Sequence, residues 1–142
     1  MVEYLKVSQL GLDFIAEWEG FSATAYKDGG NNKYSIGYGT HIDTAKEQYL
    51  LKKTITRFEG MALMKADIAN MFEPVIRKWI KVQLTQNQHD ALVSLLYNVG
   101  EKCLHNLSTS TGLCNAINSG NVDRIRAKWA EWRISNRKVN NY

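Results

Sequence analysis

The sequence predicts an α+β fold that is mostly helical and carries one small β-hairpin sheet. Several segments repeat apolar residues at helical spacing, and two of them open with a capping box. Between the first helix and these segments lies a stretch rich in glycine, asparagine and tyrosine, which is typical of a hairpin. The chain has 142 residues, of which 44% are hydrophobic, so residues 1–142 fit a single domain with a substantial core.

The first predicted helix covers residues 9–19. Ser8 is a candidate N-cap, and Gly20 suits a left-handed C-terminal cap. Glu19 then lies in the last turn beside an aromatic face, where the negative end of the helix dipole and partial desolvation both favour a protonated carboxyl. Glu19 is therefore the candidate proton donor. The apolar residues that recur at helical spacing are Leu10, Phe14, Ile15 and Trp18.

A β-hairpin is predicted after this helix. An extended run at residues 25–27 leads into a polar turn at residues 28–32, and residues 33–39 return with period-two alternation. Asp28 lies at the turn, where solvent and backbone N–H groups keep a carboxylate ionised, so it is the candidate base. Ser35 is expected to share a face with Asp28. The alternation places Lys33, Ser35 and Gly37 on one face and Tyr34, Ile36 and Tyr38 on the other.

Two capping boxes mark the next helices. Thr56 begins the first box and opens a long helix, in which Pro74 predicts a kink or a break. Thr85 begins the second box, and the helix that follows is apolar on most of its surface and ends at Gly100. This second helix is expected to lie in the core.

The last part of the chain predicts two more helices. A short helix at residues 113–118 ends near Gly120, and another helix covers residues 121–132. Trp129 and Trp132 lie on one face of that last helix. We interpret them as core residues rather than as groups that stack on sugars.

The two candidate carboxylates suggest a chemistry. Cleavage of a glycosidic bond needs one carboxyl that stays protonated and donates to the leaving oxygen, and a second, ionised group that directs water or attacks the sugar. Glu19 and Asp28 could supply these two groups. A purely structural interpretation is also open, because an aspartate before two glycines is a common turn and a glutamate near a helix end is usually a solvated surface residue.

Two motifs narrow this choice, and they occur in a fixed order along the chain. The first motif lies at the end of the first helix and in the predicted hairpin, and it consists of Glu19-Gly20, Ala25-Tyr26-Lys27-Asp28 and Tyr34-Ser35-Ile36-Gly37-Tyr38-Gly39. The second motif runs from Leu84 to Gly100 and coincides with the predicted core helix.

Together the two motifs resemble the active-site hairpin and the central core helix of the phage-type lysozymes, glycoside hydrolase family 24, which include endolysins of tailed phages. The resemblance covers about residues 8–142. It implies a lysozyme-like, two-lobed domain in which the hairpin sheet lies beside the active-site cleft. The hairpin lobe would cover about residues 20–55, and the helical lobe about residues 56–142 together with the N-terminal helix.

The resemblance also implies roles for individual residues. Glu19 would be the general acid, while Asp28 and Ser35 would hold the water that attacks the anomeric carbon. The family usually has a threonine after a shorter turn, whereas this chain has a serine after a turn that is one residue longer. A histidine usually follows Gly-Tyr-Gly directly, whereas here Thr40 intervenes before the histidine. The residues expected to bind substrate are Tyr38, His41 and Asn98.

The activity that the resemblance implies is hydrolysis of the β-1,4 bond between N-acetylmuramic acid and N-acetylglucosamine in bacterial peptidoglycan, with inversion, during lysis of a host cell by a phage. The expected partners are therefore peptidoglycan glycan strands. Two alternatives stay open. One is a peptidoglycan-binding or structural module without catalysis, and the other is a lytic transglycosylase, which needs the acid but no water-directing aspartate.

Charge and composition set further expectations about partners. The formal net charge of +4 equals the excess of basic residues in residues 121–142. This basic segment suits an anionic cell wall, and it is equally typical of a solvated helix face. No nucleic-acid recognition pattern accompanies it, so no nucleic-acid partner is expected, and the chain is expected to be a monomer. The first residues do not form a signal peptide and no long apolar run occurs, so we expect synthesis in the host cytoplasm, no membrane insertion, and action on the wall after release.

Cysteine and histidine spacing predicts neither a metal site nor a cofactor. Cys103 and Cys114 are expected to be free thiols rather than a disulfide, as in a reducing cytosol. The three histidines, His41, His89 and His105, have no metal-ligand spacing.

Overall fold

The computed structural model describes residues 2–30, 32–43, 45–104, 112–132, 134–135 and 138–139. The expected α+β fold, mostly helical with a small sheet, is confirmed. In chain order the elements are α1 (Gln9–Glu19), β1 (Ser22–Lys27), β2 (Tyr34–Gly37), β3 (Thr40–His41), a 3₁₀ segment (Ala45–Lys52), α2 (Arg57–Asp67), a π segment (Ile68–Phe72), α3 (Glu73–Trp79), α4 (Gln86–Val99), a second 3₁₀ segment (Glu101–Cys103), α5 (Leu113–Ser119), α6 (Val122–Ala130), β4 (Ile134–Ser135) and β5 (Lys138–Val139).

Internal contacts divide the chain into two compact units. One unit is Leu12–Ile68, which contains the three-stranded sheet. The other unit combines Met1–Gly11 with Ala69–Tyr142 and contains α3 to α6. The single-domain assignment and the lobe boundaries remain predictions.

Helix α1 has the two ends that the sequence predicts. Ser8 Oγ accepts a hydrogen bond from the backbone N–H of Gly11 at 3.1 Å, which is an N-cap contact. Gly20 has a φ of 74°, and its N–H donates to the carbonyl of Ala16 at 3.0 Å. Left-handed backbone of this kind is typical of a glycine that ends a helix.

The apolar stripe predicted on α1 is wrong in part. Ile15 is buried, but Leu10, Phe14 and Trp18 are 74%, 51% and 41% exposed. The buried face is formed by Leu12, Ile15 and Ala16 instead. Helical spacing shows that residues share a face, but the packing of the helix decides which face is covered.

The sheet is antiparallel, with strand order β1-β2-β3. The turn between β1 and β2 closes where the N–H of Asp28 donates to the carbonyl of Lys33 at 2.9 Å. Gly29 and Asn32 have positive φ angles of 97° and 60° in this turn, a conformation that glycine and asparagine tolerate best. The longer turn thus closes as a regular connection.

One face of the hairpin packs on a small hydrophobic core. Ile36 is fully buried and contacts a cluster that also contains Ile42, Leu50 and Ile55.

Ser35, the neighbour of Ile36 on β2, is also fully buried. The cross-strand neighbours of Ser35 are Tyr26 on β1 and His41 on β3.

Two glycines allow β2 to pack directly on α2. A Cβ atom on Gly37 would lie 3.3 Å from the Cα of Gly60, and Gly37 also has a φ of +67°. A Cβ atom on Gly60 would lie 2.9 Å from Cε1 of Phe21, whose ring is 5.2 Å from that of Tyr38. Larger residues at either position would force the hairpin away from the helix. This contact fixes the sheet on α2.

The capping boxes at Thr56 and Thr85 are both confirmed, with each Thr side chain accepting from the backbone three residues later. Pro74 lies in the first turn of α3, and the α-helical run is interrupted just before it, so the kink or break predicted here is met as a break between α2 and α3. The interruption is the π-helical segment Ile68–Phe72, which lies between α2 and α3. The predicted end of α4 at Gly100 is confirmed.

The predictions for helices α4, α5 and α6 are confirmed for the most part. Leu92, Val93, Leu95 and Leu96 of α4 are all buried, so this helix lies in the core as predicted. Gly120 ends α5 with a φ of 72°, as predicted, and the Asn121 side chain caps α6. Trp129 and Trp132 are both partly exposed, so their interpretation as core residues holds only in part.

Both cysteines are free thiols, as expected. Cys103 is buried, and burial raises its pKa to about 12, so this thiol stays protonated. His105 lies outside the described residues. Across the helices that the structure describes, none combines the length and the apolar character that crossing a membrane requires.

Candidate active site

Glu19 is the last residue of α1 and is partly buried. Gly20 ends the helix immediately after it, so the chain can turn into β1 without extending α1 past the carboxylate. The position in the last turn is the one that the sequence predicts. The C-terminal cap of α1 therefore fixes the position of the Glu19 backbone.

Asp28 and Ser35 come together across the hairpin. The hydroxyl of Ser35 donates to Oδ2 of Asp28 at 2.8 Å. Ser35 is fully buried, whereas Asp28 is exposed to solvent at the start of the turn. The expectation that the two residues share a face is met, and a buried hydroxyl holds one oxygen of an exposed carboxylate.

His41 is the third member of this group. Its Nδ1 atom lies 3.0 Å from Oγ of Ser35. The two residues are direct partners in the pairing of β2 with β3, so their side chains leave the sheet on the same face. The N–H of Ile42 donates to the carbonyl of Tyr34 at 2.9 Å, which continues this pairing past His41.

Tyr26 also belongs to this group, although the sequence predicts no role for it. It is the partner of Ser35 in the pairing of β1 with β2 and is 40% exposed. Burial raises the pKa of Tyr26, and the negative charges of Asp28 and Glu19 raise it further, whereas a hydrogen bond with Ser35 lowers it. The negative charges of Asp28 and Glu19 therefore both act on the Tyr26 phenol. Period-two spacing from Asp28 was the signal that could have identified it.

Tyr38 and Asn98 are the other two residues that the sequence predicts to bind substrate. Tyr38 is only 6% exposed and packs against Phe21, so little of its ring is open to a ligand. Asn98 is partly exposed near the end of α4 and belongs to the other compact unit. Substrate binding by Tyr38 and Asn98 remains a prediction.

An acidic group lies on the α2 side of the same unit. The pKa of Asp67, at the end of α2, is raised to about 6, chiefly because burial disfavours its charge and secondly because Glu47 is near. The Thr40 hydroxyl and His41 oppose this rise, and Asp43 adds to it. No group of three or more His, Cys, Asp or Glu side chains suited to a metal ion occurs in the described part of the chain.

Comparisons with known proteins identify the family of this chain. The sequence profile of a family described as phage lysozyme matches residues 16–141. The endolysin of Acyrthosiphon pisum secondary endosymbiont phage 1 is 33% identical over 137 residues, which cover 96% of this chain and 84% of that protein. The endolysin of Bacillus phage PZA is 32% identical over 136 residues, which cover 95% of this chain and 49% of that protein. The chain thus spans about half the length of the Bacillus phage relatives that it matches.

A solved structure supports the same fold. The endolysin from Escherichia coli O157:H7 phage FAHEc1 superposes with a TM-score of 0.77 and 28% sequence identity, covering 98% of this chain and 85% of that chain. The expected lysozyme-like fold is confirmed.

Proposed function

Because the chain belongs to the phage lysozyme family, we propose that it hydrolyses the β-1,4 bond between N-acetylmuramic acid and N-acetylglucosamine in bacterial peptidoglycan, and so degrades the cell wall during host-cell lysis. The observation that carries the proposal is the hydrogen bond from Ser35 to Asp28, set beside a phenol on which Glu19 also acts. A glycoside hydrolase needs two carboxylates, and Asp28, held by Ser35, is one of them, while Glu19 is the candidate for the other.

Glu19 acts as the general acid. Its proton passes to the glycosidic oxygen as the bond from that oxygen to the anomeric carbon breaks, so the leaving sugar departs as an alcohol. The negative end of the α1 dipole and partial burial favour the neutral carboxyl that this step requires.

Asp28 acts as the base on the opposite face of the sugar. It takes a proton from a water molecule while the water oxygen bonds to the anomeric carbon, which inverts the configuration. Ser35 donates to Oδ2 of Asp28 and so helps to orient the carboxylate that binds the water. Solvent exposure of Asp28 gives water access to it.

The proposal extends to partners and location. The chain acts on glycan strands as a monomer, without a cofactor, a nucleic-acid partner or insertion into a membrane. It is made in the host cytoplasm and reaches the wall after release. Its net charge of +4 favours contact with an anionic wall.

Digestion of purified peptidoglycan, with mass analysis of the products, tests the proposal. Hydrolysis adds one water to each cleaved bond and leaves reducing ends. A lytic transglycosylase leaves anhydro-muramic ends of lower mass, and a binding module releases nothing. Proton NMR of fresh product distinguishes inversion from retention, since inversion of a β bond first gives the α anomer. Anhydro ends, or no release, would overturn the proposal.

A further inference from the structure

The buried hydroxyl of Ser35 lies between Asp28 and His41, and it also has a hydrogen bond with the phenol of Tyr26. Its Oγ atom is 2.8 Å from Oδ2 of Asp28 and 3.0 Å from Nδ1 of His41. Ser35 is fully buried, so solvent does not compete for this hydroxyl. Hydrogen-bond contacts therefore link three side chains in a row, from His41 on β3 through Ser35 to Asp28 at the start of the hairpin turn.

The number of protons that Asp28, Ser35 and His41 share fixes the direction of each hydrogen bond among them. A serine hydroxyl has one proton to donate, and an ionised carboxylate can only accept. If Asp28 is ionised, the Ser35 proton lies on the bond to Asp28. Ser35 can then only accept from its other partners, so the 3.0 Å contact with His41 is a hydrogen bond only when Nδ1 carries a hydrogen.

We propose that His41 is a positioning residue, whose Nδ1–H donates to Ser35 Oγ and thereby holds the Ser35 proton on Asp28. The inference rests on the proposed function, since it assigns a task within that site. In this role His41 acts through Ser35, which differs from the substrate contact that the sequence predicts for it.

The other histidine tautomer would disrupt the chain of bonds. With hydrogen on Nε2 alone, Nδ1 becomes an acceptor and competes with Asp28 for the single Ser35 proton. Serine also lacks the β-branch that restrains the χ1 angle of threonine, so its hydroxyl turns more freely. A donor at Nδ1 supplies the missing restraint, and the pairing of Ser35 with His41 holds that donor in place.

Kinetics of two His41 variants test the proposal. In His41→Asn the side-chain amide keeps a donor near the Nδ1 position, whereas His41→Ala removes it. We expect His41→Ala to lower kcat about ten-fold, as for loss of one hydrogen bond, with little change in KM. His41→Asn should recover most of kcat. A raised KM with unchanged kcat in His41→Ala would indicate a substrate contact and overturn the proposal.

A double variant separates positioning from general loss of structure. If His41 acts only through Ser35, His41→Ala should cost nothing further in a Ser35→Ala background. Equal losses in both backgrounds would overturn the proposal. Long-range ¹⁵N–¹H NMR of the folded protein gives a second test, because it identifies which ring nitrogen carries hydrogen. We expect hydrogen on Nδ1, and hydrogen on Nε2 alone would contradict the proposal.

These outcomes distinguish the inference from the proposed function. A wild-type protein that releases no reducing ends would overturn the function itself. An active wild type whose His41→Ala variant keeps full kcat would overturn only the role of His41.

Discussion

The hydroxyl of Ser35 reaches Oδ2 of Asp28 at 2.8 Å, although the turn between them is one residue longer than the family pattern leads one to expect. The additional length is taken up inside the turn, where Gly29 and Asn32 adopt positive φ angles and the N–H of Asp28 bonds to the carbonyl of Lys33. The flanking strands keep their pairing, with Lys27 opposite Tyr34. A longer turn therefore need not move the serine out of the site.

Ser35→Ala should retain the fold and lose activity. Removal of the hydroxyl takes away the hydrogen bond that holds Oδ2 of Asp28, so we expect the barrier to rise by about 1 to 3 kcal/mol. Ser35→Thr, which restores the hydroxyl on a stiffer side chain, is the matched control and should stay active. The values of kcat for the three proteins check this. Full activity of Ser35→Ala would show that Asp28 acts without the serine.

Tyr26→Phe should reduce kcat by about three- to ten-fold without loss of stability. The phenol hydroxyl has a hydrogen bond with Ser35 and is under the electrostatic influence of Asp28 and Glu19, so its removal alters the site but not the packing of the ring. Tyr49→Phe is the matched control, since Tyr49 is 60% exposed on the 3₁₀ segment. Equal kcat values for the two variants would remove Tyr26 from the site.

Asp67→Asn should change how stability depends on pH. The folded-state pKa of about 6 lies above the ordinary value of 3.8, so the folded protein binds the proton more tightly than the unfolded chain does. Ionisation of Asp67 therefore lowers stability as pH rises from about 4 to about 6. The variant should have a higher Tm than wild type at pH 7, and this advantage should vanish near pH 4. An advantage that is constant with pH would contradict the assignment.

Gly11→Ala should destabilise the protein, against the usual preference of helices for alanine. A Cβ atom on Gly11 would lie 2.7 Å from Cγ of Asp90, whose carboxylate accepts from the backbone N–H of Ser8 at 3.0 Å and from its hydroxyl. We expect a loss of about 1 to 3 kcal/mol from this overlap, where helix propensity alone predicts a gain of about 1. Urea unfolding measures the sign.

The control for this change is Gly30→Ala. A Cβ atom on Gly30 would meet nothing within 4 Å, so we expect a change near zero. If Gly11→Ala stabilises the protein, the contact between α1 and Asp90 is looser than the structure indicates.

Local patterns predicted the parts of this fold that depend on neighbouring residues. The capping boxes at Thr56 and Thr85, the glycine that ends α1 and the hairpin around Asp28 all follow from short-range hydrogen bonds. The contact of Ser35 with Asp28 also follows, because strand alternation places both on one face.

Features that depend on packing were not predicted. The exposure of Phe14 and Trp18 depends on which side of α1 meets the rest of the protein. The bond from His41 to Ser35 requires β3 to pair with β2, and the influence of Glu19 on Tyr26 requires the end of α1 to meet the sheet. No spacing within the sequence encodes these contacts.

The rate at which Glu19→Gln releases reducing ends from peptidoglycan, relative to wild type, tests the proposed mechanism most directly. The amide keeps the size and polarity of the side chain but cannot donate the proton, so the rate should fall at least about 100-fold while the Tm stays nearly the same. A Glu19→Gln protein with near-wild-type turnover would contradict the mechanism, because the leaving oxygen would then receive its proton from another group.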